Sequence, residues 1–339
     1  MNYTVDVLLY TYKIGRLIRK VSYRLLQQFK KNTLVYINQY IMDTVSIAVT
    51  QFKCTHDVYE NMARAERVVR NAADAGANVV VLQELFHTKY FCQEQNPEHF
   101  ALAETAEDSF IIHAFAELAK ELGVVIPIPF FEKDGNNYYN SVAVADSDGE
   151  ILGVYRKTHI PQGECYNEKF FFTPGNNEFE VFETKLYGKL GVAICWDQWF
   201  PEVVRALALQ GADYIVMPTA IGNEPEFPDG EAYFHWARVI QGHSSANGIP
   251  IAVANRIGRE RFGKTKIDFF GGSFITDDTG AVVVQVGGEP QNNGGVDPDA
   301  VPLKGYVKHE INLKDNEIFR AFWGIFRDRR PELYGRLVI

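Results

Sequence analysis

Short apolar runs rich in branched residues recur along this chain, each closed by a polar or glycine-bearing segment. Residues 45–52, 78–82, 124–128, 191–194, 213–218 and 250–255 have this character and predict strands with little solvent-facing surface. Residues 57–76, 108–123, 201–211 and 231–247 carry their apolar positions at helical spacing instead. The alternation commits the chain to an α/β architecture. Hairpin signals at Asp146-Ser147-Asp148-Gly149 and Asp277-Asp278-Thr279-Gly280 make it mixed rather than a plain repeat of parallel crossovers. With 339 residues, 46% of them hydrophobic, one continuous core is within reach, and no interior stretch has linker composition or a repeat period.

Local signals refine this outline. Asp57 is placed to cap the first helix, with Glu60 in the capping-box position. Pro127 pushes the strand at 124–128 towards an irregular or edge position. Residues 287–302, rich in Gly, Asn and Pro, read as a loop, and residues 306–311 as a last strand.

Ligands of open α/β sheets bind beyond the carboxyl ends of strands, so polar residues there are the first candidates for chemistry. Glu84 follows the run 78–82, where an unpaired carboxylate is costly to bury. Lys157 directly follows the strand after the first hairpin. Cys195 ends the run 191–194 ahead of a helix led by Pro201, and a thiol at a helix N-terminus has its thiolate stabilised. Each residue alone has a plainer alternative: a rim carboxylate, a solvated lysine, a small buried thiol.

Together they carry a resemblance. Leu82-Gln83-Glu84-Leu85-Phe86, Tyr155-Arg156-Lys157-Thr158-His159 and Gly191-Val192-Ala193-Ile194-Cys195-Trp196-Asp197 resemble, in this order, the three signatures of the nitrilase superfamily. These are carbon–nitrogen hydrolases with a Glu-Lys-Cys triad, and the similarity runs over residues 45–334. It implies a four-layer αββα sandwich with Cys195 as nucleophile and Glu84 as general base. Lys157 and the backbone N–H of Trp196 are implied as oxyanion donors, and Glu168, in Tyr166-Asn167-Glu168-Lys169-Phe170, as a second glutamate near the lysine. A cysteine beside a base is expected to gain thiolate character. The resemblance implies neither a metal nor an organic cofactor.

Further segments narrow the likeness. The octapeptide Cys195-Trp196-Asp197-Gln198-Trp199-Phe200-Pro201-Glu202, residues 218–225, 235–243 and 326–334 are similar to the branch that hydrolyses ureido substrates ending in an ammonium. Such a substrate needs a carboxylate at its far end, and Glu224 occupies the matching place. Trp196 is expected to line the slot for the intervening methylene chain. The rivals, β-ureidopropionase and ω-amidase, share the triad but hold a carboxylate, which asks for a cation where Glu224 stands. A non-catalytic binding member is the alternative from a different class. His159, His235 and His243 fit no zinc spacing and read as structural.

Charge separates two parts of the chain. Residues 1–41 hold seven Lys/Arg against Asp6, leaving 27 basic and 42 acidic residues in the remainder. An acidic body disfavours nucleic acid and suits a small cationic ureido substrate. Four scattered cysteines without Cys-x-x-Cys spacing point to a reducing, cytoplasmic setting. No apolar run reaches the roughly 20 residues that span a bilayer, so the main domain is expected to have no membrane partner. The expected organisation is a basic extension over 1–41, a hydrolase domain over 42–315 and a tail over 316–339. The extension resembles a transit peptide or membrane-surface helix, or else stands upstream of a working start at Met42. By the resemblance, the aromatic, basic tail contacts another subunit of a homo-oligomer.

Overall fold

The computed structural model describes residues 43–223, 231–287 and 305–338, and Val45–Ile339 form one compact unit. The extension over 1–41 and most of the 287–302 loop lie outside the described residues.

Strand β1 (Thr44–Thr50), helix α1 (Val58–Asp74) and strand β2 (Val79–Val81) form a parallel βαβ unit. Helix α2 (Phe110–Leu122) leads into the antiparallel strands β3 (Ile126–Asp134), β4 (Asn137–Ala145) and β5 (Ile151–Arg156). After the short helix α3 (Glu168–Phe171) come β6 (Val181–Glu183), β7 (Lys189–Val192), helix α4 (Pro201–Leu209), β8 (Tyr214–Thr219), helix α5 (Glu231–Asn247) and β9 (Ile251–Asn255). A separate hairpin, β10 (Ile257–Phe262) and β11 (Thr265–Phe270), precedes β12 (Phe274–Thr276) and β13 (Val282–Gln285). Strand β14 (Tyr306–Asn312) returns to lie beside β1, and helix α6 (Leu313–Trp323) opens the tail.

One sheet has the order β14-β1-β2 and is continued by β3-β4-β5 through a bridge at Val79 and Val125. The other has the order β13-β12-β9-β8-β7-β6, parallel across β7, β8 and β9. The strand period of two then decides what lies between the layers. Val45, Ile47 and Val49 of β1 share one core with Leu190, Val192, Tyr214 and Val216 of the other sheet. Ala48 and Val80 face the opposite way, onto Ala65 and Val69 of α1 and Phe115 of α2. Ile215 and Met217 of β8 likewise pack on Val203 and Leu207 of α4 and Trp236 and Ile240 of α5. Helix, sheet, sheet and helix are therefore stacked in that order, and each central strand feeds two cores. That is why these runs are apolar throughout rather than alternating.

Asp57 caps α1, accepting from the amides of Tyr59 and Glu60 at 2.9 and 3.1 Å. The expected capping box does not close. Thr55 Oγ1 accepts from the Asp57 amide and donates to Glu60, occupying the place Glu60 would have taken. Pro127 stands in an edge strand rather than at an irregularity: β3 is the outer strand of β3-β4-β5 and pairs with β4 in unbroken register through Pro127, whereas the contact towards β2 is the single bridge at Val125. Among the described residues no helix is long and apolar enough to cross a membrane. Helix α6 and the residues after it leave Ile318, Phe322, Trp323, Leu333 and Leu337 exposed, Phe322 by 83%.

Candidate active site

The two central strands and the end of β5 deliver three side chains to one buried place. Glu84 lies three residues past β2, and its amide donates to the carbonyl of Thr219 at the end of β8, in the opposite sheet. Lys157 follows β5 directly and is fixed by its amide to the Asn140 carbonyl of β4 at 2.8 Å. Cys195 lies three residues past β7. Glu84, Lys157 and Glu168 have no exposed surface, and Cys195 has 7%.

Lys157 Nζ lies 2.9 Å from Glu84 Oε1 and 2.6 Å from Glu168 Oε2. Burial alone would lower the lysine's pKa, but the carboxylates of Glu168 and Glu84 outweigh it and hold the ammonium well above its ordinary value. Lys157 is therefore a fixed cation at neutral pH. Burial pushes Glu168 up to about 7, opposed by Lys157 and reinforced by Glu84. Its other oxygen, Oε1, accepts from the Tyr90 hydroxyl at 2.5 Å. The Glu84 oxygens are unequal. Oε1 accepts from both Lys157 Nζ and Asn140 Nδ2, the latter at 2.6 Å, whereas Oε2 is buried with no hydrogen-bond partner among the described residues. One oxygen is thus held by two donors and the other is open.

Cys195 adopts φ 42°, in the left-handed region that a non-glycine residue enters only when its surroundings enforce it. Asp197 does the enforcing. Its Oδ2 accepts from the Ile194 amide at 3.0 Å and the Tyr155 hydroxyl at 2.8 Å, and its Oδ1 accepts from the His159 amide at 2.9 Å. The turn carrying the thiol is thereby tied to the segment carrying Lys157. His159 Nδ1 also meets Asp197 Oδ1, and His243 Nε2 meets the Gln198 carbonyl. Both histidines hold the turn in place.

The expectation of thiolate character is not met. A 3₁₀ turn, Cys195–Trp199, intervenes in sequence between the thiol and α4, which begins at Pro201. Burial and then the Glu84 carboxylate raise the Cys195 thiol well above its ordinary value, with Lys157 opposing. The resting thiol is neutral. Modification of substrate-free protein by methyl methanethiosulfonate, read as the Cys195 peptide adduct, should therefore keep accelerating with pH beyond about 8.5. A rate that levels off below pH 7 would contradict this assignment.

Tyr90, Asn140 and Asp197 were not singled out from the sequence. Asn140 carried a usable signal, because a fully buried amide in the apolar strand β4 requires a partner. Tyr90 carried none, since its partner Glu168 lies 78 residues away. Trp196 is 38% exposed and sets its ring edge-on to Trp199 at 6.1 Å. Trp199 in turn packs against His235 of α5 at 4.9 Å. Cys195 Sγ is 4.0 Å from the Ala220 carbonyl, and the chain leaves the site through Ile221, Gly222 and Asn223, whose amides are anchored by Asn255, Tyr166 and Asp268. Glu224, next in sequence, lies outside the described residues.

The comparisons with known proteins agree with this geometry. The profile described as carbon-nitrogen hydrolase matches residues 46–294. The chain is 49% identical over 298 residues to an N-carbamoylputrescine amidase of Solanum tuberosum, covering 87% of this chain and 95% of that one. It is 43% identical over 297 residues to a citrullinase of Francisella tularensis, covering 88% and 99%. A carbon-nitrogen hydrolase from Helicobacter pylori G27 superposes with a TM-score of 0.78 at 34% identity, over 87% of this chain and 99% of that one. A member of branch 10 of the nitrilase superfamily from Saccharomyces cerevisiae shares the fold, with a TM-score of 0.67 at 21% identity over 85% and 97%. By sequence, by fold and by these relatives, the chain belongs to the carbon-nitrogen hydrolases of the nitrilase superfamily.

Proposed function

We propose that this protein hydrolyses N-carbamoylputrescine to putrescine, ammonia and carbon dioxide through a carbamoyl thioester on Cys195. One observation carries the reading: a Glu84–Lys157–Cys195 constellation stands in a chain that spans 95% of an N-carbamoylputrescine amidase at 49% identity.

In this reading the Cys195 sulfur attacks the ureido carbonyl while its proton passes to Glu84 Oε2. The oxyanion that forms is met by Lys157 and the backbone N–H of Trp196, fixed donors in a dry site. Collapse breaks the bond to the terminal nitrogen, which leaves as ammonia with the proton from Glu84. Water, deprotonated by Glu84, then adds to the thioester and returns the thiol. The released carbamic acid loses carbon dioxide and leaves putrescine. Glu168 acts by holding Lys157 between two carboxylates. A neutral resting thiol suits this sequence, because proton transfer accompanies attack rather than preceding it.

The far end of the substrate is an ammonium, and we assign Glu224 to it and Trp196 to the methylene chain. The test compares product release from N-carbamoylputrescine, citrulline and N-carbamoyl-β-alanine. The first should be preferred, and citrulline, which shares the ureido end and carries an ammonium with an added carboxylate, should be poorer. Glu224→Gln should raise KM about 10- to 100-fold by loss of a charge-assisted contact, with little change in kcat. Preference for N-carbamoyl-β-alanine would overturn the ammonium pocket while keeping the triad. The same reading takes the exposed apolar tail as a surface for a second copy, and a monomer in light scattering would refute that.

A further inference from the structure

The mechanism leaves one buried ion pair unused. Arg256, between β9 and β10, has no exposed surface, and Glu260 of β10 has 1%. Arg256 Nη1 lies 2.8 Å from Glu260 Oε1 and donates at 2.8 Å to the Thr88 carbonyl. Its Nη2 donates to the carbonyls of Glu84 and Leu85 at 2.9 and 2.8 Å. Glu260 Oε2 accepts from the Tyr90 amide at 2.7 Å. One ion pair thus grips three carbonyls and one amide of the segment 84–90.

The segment needs such a grip. Leu85 adopts φ 47°, a left-handed conformation unfavourable for leucine. In that geometry the carbonyls of Glu84 and Leu85 converge on one guanidinium nitrogen; the Leu85 carbonyl also accepts from the Thr88 amide at 3.1 Å, so it is the buried Glu84 carbonyl that depends on this donor. Both ends of the segment also reach the site: Glu84 begins it, and Tyr90 ends it with its hydroxyl on Glu168. A buried ion pair is a weak source of net stability, so its retention calls for another account.

We propose that Arg256, held by Glu260, is a positioning residue that fixes the backbone of the general base Glu84 and, through Tyr90, the orientation of Glu168. The pair never touches the reacting atoms. The inference rests on the reading of Glu84 as the base.

Arg256→Lys keeps the charge but loses the planar fork, so one compact ammonium must replace contacts to four acceptors. Displacement of a catalytic group by about 1 Å costs on the order of 10²-fold in rate. Turnover of N-carbamoylputrescine is measured per folded molecule, counted from the near-ultraviolet circular dichroism amplitude. For Arg256→Lys, kcat should fall on the order of 10²-fold with KM within about threefold. Glu260→Gln, which turns one of the two accepting oxygens into an NH2 group facing a donor, should show a smaller loss of the same kind, roughly 10-fold. Wild-type kcat per folded molecule in either variant would overturn the proposal, as would a KM rise that accounts for the whole loss. Failure of both variants to fold would make the pair structural and overturn it equally. Wild-type protein and Cys195→Ala run alongside: an inactive wild type or an active Cys195→Ala would sink the catalytic reading instead.

Discussion

Cys195→Ala should leave a folded protein whose turnover of N-carbamoylputrescine is lower by on the order of 10⁴-fold or more, because no other group in the proposed mechanism can form the acyl intermediate. The stability cost should be small. A methyl group takes the place of the thiol-bearing side chain at a position only 7% exposed, losing the sulfur's packing at the edge of the central core and its 4.0 Å approach to the Ala220 carbonyl. No charge is left uncompensated, since the thiol that burial and then Glu84 hold neutral carries none at rest. The left-handed φ of 42° is as unfavourable for alanine as for cysteine, so the turn does not relax. Ammonia and putrescine release, with a thermal melt alongside, decides the matter. Turnover retained within tenfold would remove Cys195 from the mechanism.

The second large effect falls on stability as well as rate. Lys157→Met takes the ammonium from between Glu84 and Glu168 and leaves two carboxylates at full burial. Breaking a buried ion pair by removing one partner costs about 3–5 kcal/mol, a large share of the 5–15 kcal/mol typical of a folded domain. Activity should fall at least 10²- to 10³-fold from loss of the proposed oxyanion donor alone. The pH dependence has a definite sign. Glu168 already sits at about 7 with the lysine present, above its ordinary 4.5, and loses its main lowering partner in the variant. A carboxyl raised in the folded state binds its proton there more tightly than in the unfolded chain, so stability falls as pH rises from the ordinary carboxylate range through the folded value. The deficit of Lys157→Met should therefore be smallest near pH 5 and grow above pH 7. Adding Glu84→Gln and Glu168→Gln removes the stranded charges and should recover most of the stability with none of the activity. Urea unfolding at pH 5 and pH 8 tests both statements, and a pH-independent deficit would show that packing, not charge, is what Lys157 supplies.

The order of strands and helices was legible because each central strand is buried on both faces, which writes an unbroken apolar run into the sequence. Residues 231–247 and 306–311 were also read close to their structural bounds. The hairpin β10–β11 was missed, although Gly263-Lys264 between alternating segments was a two-residue turn signal. That omission hid Arg256 and Glu260, which are polar in sequence and fully covered in the fold.

By itself the sequence determined the α/β class and the positions of the strand ends, local facts of periodicity, and it offered Glu84, Lys157, Glu168 and Cys195 as candidates through motifs that resemble the nitrilase superfamily. Tertiary structure decided the rest. Which Glu84 oxygen is held and which is open depends on Asn140 and Lys157, 56 and 73 residues away. The protonation of Cys195 depends on how deeply the layers bury it and on which charges share that depth, and a local helix signal pointed the wrong way. Desolvation and electrostatic interaction are summed over every neighbour in space, and a linear pattern records only the neighbours along the chain.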